Sequence, residues 1–147
     1  MKRLLFLCTG NYYRSRFAEH LFNALAERRG LDWRAESRGL AIERGIYNVG
    51  ALAPTVVQGL AQRGIAVPAG ERFPLQASAA DFATAEHIDA LDEAEHGTLV
   101  RQRFPAWADK VEYWHVQDRE LVPPEVALDT IEERVRELVG RLEEGRP

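Results

Sequence analysis

The sequence predicts a single α/β domain, residues 1–147, built on a four-stranded parallel sheet with helices on both faces. Three observations point there. The chain has 147 residues, the size of one domain. Segments of strand composition alternate with segments whose apolar residues recur at helical spacing, the pattern of a parallel sheet covered on both sides. The first strand is an unbroken apolar run, as expected where neither face meets water.

The elements follow in chain order. Leu4 to Leu7 is the first strand, ending in the turn residues Thr9-Gly10-Asn11. Phe17, Leu21, Ala24, Leu25 and Arg28 share helical spacing, and Gly30 is a natural stop. Trp33 to Ser37 reads as a second, weaker strand. Arg38 to Pro54 holds three glycines and no sustained period, which predicts a loop. Leu52 to Arg63 then reads as a helix that ends at Gly64. Pro68 to Pro74 is rich in turn residues, and Ser78-Ala-Ala-Asp81 has the spacing of a capping box opening a short helix. His87 to Leu91 is a third strand, weakened by Asp89, and Asp92 to Phe104 is helical in composition, with Asp92 as its cap. Val111, Tyr113 and Val116, with Trp114 between them, predict the fourth strand. Pro123-Pro124 opens a last helix whose apolar stripe is Val126, Ile131, Val135, Leu138, Val139 and Leu142.

Composition narrows the function. Lys and Arg number 19 against 23 Asp and Glu, a net charge of −4 that argues against nucleic acid as a partner but not against a local cationic pocket. No apolar stretch is long enough to span a membrane, and the short run after Met1-Lys-Arg lacks the length and cleavage site of an export signal. A cytoplasmic location and a reduced thiol are the expectation. Cys8 is the single cysteine, so an internal disulfide and a cysteine-rich metal site are excluded. His20, His87, His96 and His115 lack metal-ligand spacing and read as surface or half-buried residues; no metal and no cofactor are expected. Trp33, Trp107 and Trp114 read as core.

Ligands of such sheets bind beyond the carboxyl ends of the strands, which directs attention to the loops after the first and last strands. The first is Cys8-Thr9-Gly10-Asn11-Tyr12-Tyr13-Arg14-Ser15, running directly into a helix. A helix N-terminus presents unpaired N–H groups and positive potential. Gly10 and Asn11 tolerate the left-handed backbone that turns successive amides inward as an anion nest. Arg14 can grip two phosphate oxygens with its planar fork. The same field favours the thiolate form of Cys8, the nucleophile, and Ser15 can donate a hydrogen bond to it.

This loop resembles the phosphate-binding loop of the low-molecular-weight protein tyrosine phosphatases, whose pattern is Cys, any, Gly, Asn, any, Cys, Arg, Ser, Pro. Ser37-x-Gly39 and Ile88 to Asp92 also resemble family segments, with Leu91 in place of a methionine. The resemblance implies a flavodoxin-like sheet of order 2-1-3-4, no metal, a phosphocysteine intermediate, and a phosphotyrosine protein or other phosphomonoester as substrate. It also implies a general acid in an Asp-Pro pair after the fourth strand. Asp118 matches the acid, but Arg119 replaces the proline, and the tyrosines that follow the acid in the family are missing. Substrate-ring contacts then fall to Tyr12, Tyr13 or Tyr47. Tyr13 stands where the family has a second cysteine, so no protective disulfide can form. Arg16 stands where it has proline, and reads either as a further cation near the anion site or as a solvated surface charge.

The leading expectation is therefore a phosphatase, with Cys8, Arg14, Ser15 and Asp118 catalytic, and Thr9, Gly10, Asn11, Tyr12, Tyr13 and Tyr47 binding substrate. An arsenate reductase would need two further cysteines for its relay. Relatives that act on phosphoarginine carry a small threonine where Tyr12 lies. A phosphate- or phosphopeptide-binding module with lost catalysis fits the missing Asp-Pro pair but gives Cys8 no purpose. Nothing in the residues demands an oligomer, and a monomer is favoured.

Overall fold

The computed structural model describes residues 1–146. Its four strands are β1 (Lys2–Cys8), β2 (Trp33–Gly39), β3 (His87–Ala90) and β4 (Val111–Tyr113), and the helices are α1 (Arg14–Arg28), α2 (Pro54–Ala61), α3 (Ala79–Thr84), α4 (Glu93–Arg103) and α5 (Pro124–Glu143). All strand pairs are parallel, in the order β2-β1-β3-β4. The predicted α/β class, strand number and order are all found.

β1 lies at the centre because it can afford no solvent on either face. Leu4, Leu5, Phe6 and Leu7 are all fully buried, each contributing about 1.5–3 kcal/mol on leaving water. The pleat sends Leu4 and Phe6 to the face covered by α1, α2 and α5, and Leu5 and Leu7 to the opposite face with Phe82 of α3 and Leu99 and Val100 of α4. The stripe predicted for the last helix is mostly buried, Ile131, Val135, Leu138 and Val139 completely, whereas Val126 is exposed.

Register then fixes where a ligand can sit. Cys8 pairs with Gly39 and Leu7 with Ala90, so β1, β2 and β3 end at one level. β1 is the strand from which the chain winds outward in both directions, and the crevice of such a sheet opens beyond the carboxyl end of that strand.

Several boundaries depart from the sequence reading. α2 starts at Pro54, which takes the first helical turn where its missing N–H costs nothing, and a 3-10 turn (Ile42–Gly45) interrupts the predicted loop. A second 3-10 segment, Pro105–Lys110, precedes β4. β4 ends at Tyr113, yet Trp114 N–H still reaches Ala90 O and Val116 N–H reaches Leu91 O, both at 2.8 Å. Asp92 stands at the N-cap of α4, but its side chain makes no capping hydrogen bond; its backbone N–H donates to His96 Nδ1 instead. His96 is fully buried rather than superficial. Asp89 is accommodated inside β3 with its carboxylate buried 2.9 Å from His87 Nε2, and burial pushes that carboxyl above its ordinary range.

Candidate active site

β1 delivers Cys8 to the floor of a loop that turns at once into α1. Asn11 adopts a left-handed backbone, φ 53°, which reverses the chain within a few residues. The loop's carbonyls are tied outward. Leu40 N–H donates to Cys8 O at 2.8 Å, Ala41 N–H to Thr9 O at 3.0 Å, Ala53 N–H to Tyr12 O at 3.1 Å and Phe17 N–H to Tyr13 O at 3.0 Å. By contrast, the backbone N–H groups of residues 10–15 have no hydrogen-bond acceptor among the described residues. Tyr13 at the N-cap of α1 offers no side-chain cap, and the first turn carries no acidic residue. The result is a bowl of free donors at a positive helix end, suited to a tetrahedral anion.

Side chains complete it. Cys8 Sγ lies 2.9 Å from Ser15 Oγ, and Asn11 Nδ2 donates to both Ser15 Oγ and Ser37 Oγ at 2.9 Å. Asn11 is itself held from behind: its Oδ1 accepts from Arg72 Nη1 at 2.9 Å and from Leu75 N–H at 3.1 Å. Gly39 gives the loop its room, because a Cβ there would lie 2.7 Å from Thr9 O and 2.6 Å from Ile42 Cγ2.

Arg14 is buried, with Nη1 donating to Val116 O and Nη2 to Glu95 Oε2, both at 2.8 Å. Glu95 also accepts from Thr9 Oγ1 and contacts His96 Nε2 at 3.1 Å. Burial works to raise the Glu95 carboxyl, but hydrogen bonds from His96 and Arg14 outweigh it and hold the group far below the usual carboxylate range. Burial keeps His96 below its ordinary value. Glu95 is thus a fixed anion orienting Arg14 and Thr9. Sequence reasoning missed it because it looks like an exposed residue in the acidic first turn of a helix.

Asp118 meets the bowl from the loop after β4. Its Oδ2 lies 3.7 Å from Arg14 Nη2, and its Oδ1 accepts the Arg119 N–H at 2.8 Å. A turn with Leu121 N–H and Val122 N–H on Asp118 O stiffens the segment that lacks the expected proline. Together Cys8, Thr9, Gly10, Tyr12, Tyr13, Arg14 and Asp118 line a cavity of about 130 Å³, with Arg44, Gly45, Asn48, Arg119 and Glu120 around its mouth. That volume is below the roughly 300 Å³ of ordinary small-molecule sites, so a phosphoryl group enters and the rest of a substrate stays at the mouth.

Of the other predicted residues, Asn11 and Ser15 stand behind the wall, fully buried, and act through hydrogen bonds. Tyr47 is 91 % exposed and does not line the cavity. Arg16 is neither a cation in the pocket nor a solvated charge. It is fully buried, with Nη2 on Glu71 Oε1 at 2.6 Å and Nη1 on the carbonyls of Ala51 and Arg72 at 3.2 and 3.1 Å. Among the described residues, Glu19, His20 and Glu71, and likewise His87, Asp89 and Glu112, come close enough to share an ion, but Arg16 already pairs with Glu19 and Glu71, and Arg141 with Glu112.

A lone thiol on a strand end, under unpaired amides and beside a buried arginine, defines an enzyme of cysteine-based phosphoryl chemistry. The comparison with known proteins agrees: the model of the low molecular weight phosphotyrosine protein phosphatase family matches residues 3–146, and the chain belongs to that family. It is 28% identical to the protein-arginine-phosphatase of Bacillus subtilis (strain 168), across 97% of this chain and 98% of that one. Among solved structures, a YwlE mutant from Bacillus subtilis superposes with a TM-score of 0.79 at 26% identity, covering 97% of this chain and 99% of that chain. A low molecular weight protein tyrosine phosphatase from T. tengcongensis gives 0.78 at 27%, covering 99% of both chains.

Proposed function

We propose that the chain is a protein tyrosine phosphatase acting through a phosphocysteine intermediate. The observation that carries this is Cys8 Sγ at the floor of the amide bowl, 2.9 Å from Ser15 Oγ, with the Asp118 carboxylate across the cavity. The Cys8 thiolate attacks phosphorus, forming an S–P bond as the P–O bond to the aryl oxygen breaks. Arg14 and the amides of residues 10–15 hold the equatorial oxygens. Asp118 gives its proton to the departing oxygen. Water then attacks phosphorus, Asp118 takes the proton, and the S–P bond breaks to release phosphate and a thiolate that Ser15 O–H stabilises. The chemistry requires a reduced thiol, which supports a cytoplasmic location. Every group involved comes from one chain, which supports action as a monomer.

Cys8→Ser tests the reading. Turnover of p-nitrophenyl phosphate should vanish while inorganic phosphate still binds; undiminished turnover would overturn it. The named activity of the 28% identical relative favours phosphoarginine as a second reading. Tyr12 weighs against that, since its ring lines the cavity wall and its hydroxyl is tied to Val49 O at 2.6 Å. Parallel assays on phosphotyrosine and phosphoarginine peptides separate the two.

A further inference from the structure

Arg44 and Arg119 both line the mouth of the cavity, one from the 3-10 turn Ile42–Gly45 and the other from the loop after β4. Both are exposed, and neither has a carboxylate partner among the described residues. Arg29, Arg103 and Arg136 each lean on a glutamate, whereas Arg28, Arg34 and Arg101 are exposed and without a carboxylate partner among the described residues, so it is the place of Arg44 and Arg119 at the cavity mouth that sets them apart. Arg119 is nevertheless held in place. Its guanidinium lies 5.6 Å from the Tyr12 ring centroid and 5.9 Å from that of Tyr13, and its Nη2 donates to Asn48 Oδ1 at 3.3 Å. Cations stacked on aromatic faces keep their charge available for a second partner. The carboxylates at the mouth are Asp118 and Glu120. Asp118 already faces Arg14, Oδ2 to Nη2 at 3.7 Å, which leaves Glu120 as the one mouth carboxylate opposite two guanidiniums, in a chain whose overall charge is −4.

We infer that Arg44 and Arg119 form a second anion subsite, and that the preferred substrate is a phosphotyrosine segment of a protein with an acidic side chain beside the phosphorylated residue. This rests on the phosphatase reading above. Charge complementarity supplies the acidic neighbour. A segment of polypeptide, rather than a small phosphomonoester, is favoured by the exposed apolar residues Ile46, Tyr47, Val49 and Leu121 on the two loops that carry the mouth, which a peptide backbone and its flanking side chains would cover.

The test uses phosphotyrosine peptides that differ only in the flanking residue, Asp, Ala or Lys. Their affinities are measured on Cys8→Ser, and kcat/KM on the protein with Cys8 intact. The aspartate peptide should be favoured over the lysine peptide about fivefold, the scale of one or two exposed ion pairs, and the ratio should fall towards one at about 1 M salt. Arg44→Ala/Arg119→Ala should abolish the preference. Arg44→Glu, a single change on an exposed loop, should shift it towards the lysine peptide even if the double variant folds poorly. A ratio of one in the unsubstituted protein, or a preference that survives both sets of changes, would overturn the subsite. Binding of no peptide at all would also overturn it. Hydrolysis of p-nitrophenyl phosphate reports separately on the catalytic reading, because that substrate has no flanking residue.

Discussion

Glu95 accepts a hydrogen bond from Arg14 Nη2 at 2.8 Å across 81 residues of sequence, and so the anion-gripping arginine arrives already oriented. Its other nitrogen is fixed by Val116 O. A side chain held at both ends loses little freedom on meeting phosphate, and pre-orientation of this kind lowers the barrier to reaction.

Glu95→Gln should therefore reduce kcat/KM for an aryl phosphate by about tenfold and destabilise the fold by roughly 2 kcal/mol, as a charged hydrogen bond to a buried arginine is weakened. The pH dependence has a definite sign. The folded carboxyl titrates below its unfolded value, so its stabilisation is complete above the unfolded pKa, about 4.3, and is lost as pH falls through the folded one. Urea denaturation from pH 7 to pH 3 should show the gap between the two proteins narrowing only at the acid end.

Asp118→Asn should lower kcat/KM, which reports the step that expels the leaving group, at least ~10²-fold, the scale of general acid catalysis. The loss should be greater for phenyl phosphate than for p-nitrophenyl phosphate, whose leaving group needs a proton less. Equal losses on the two would place the acid elsewhere.

Arg16→Ala should cost about 3–5 kcal/mol, because Glu71 and two carbonyls are left without their buried cation. Thermal denaturation measures it. Relative kcat/KM for substrates with one and with two phosphates should not change, since the guanidinium does not reach the cavity.

Gly39→Ala should be disruptive despite its small size. The new methyl would press on Thr9 O and Ile42, at a cost of about 1–3 kcal/mol and a weakened grip on phosphate, read as a raised inhibition constant.

The fold was legible where signals are local. The run Leu4 to Leu7, the capping box at Ser78 and the stripe on α5 each predict their own element, and the loop from Cys8 to Ser15 carries most of the site within eight consecutive residues. What escaped depends on distant partners. Glu95 and Arg14 are joined only by the adjacency of β1 and β3. Arg16 is buried because Glu71, from a turn-rich stretch, folds back over it. Arg44 and Asn48 lie in a segment without periodicity, and nothing local told that it would border the cavity. Val116 has strand character but runs past the end of β4, where the chain leaves the ladder to deliver Asp118.

The carbonyls of Cys8, Thr9, Tyr12 and Tyr13 are tied down by the backbone of neighbouring segments, so the amide bowl is built before any substrate arrives and persists after it leaves. A receptacle that does not relax cannot tell the end of a catalytic cycle from its beginning. Free orthophosphate, the last thing to depart, should fit it as well as the group that entered, and the enzyme's throughput would then be throttled by the phosphate concentration around it.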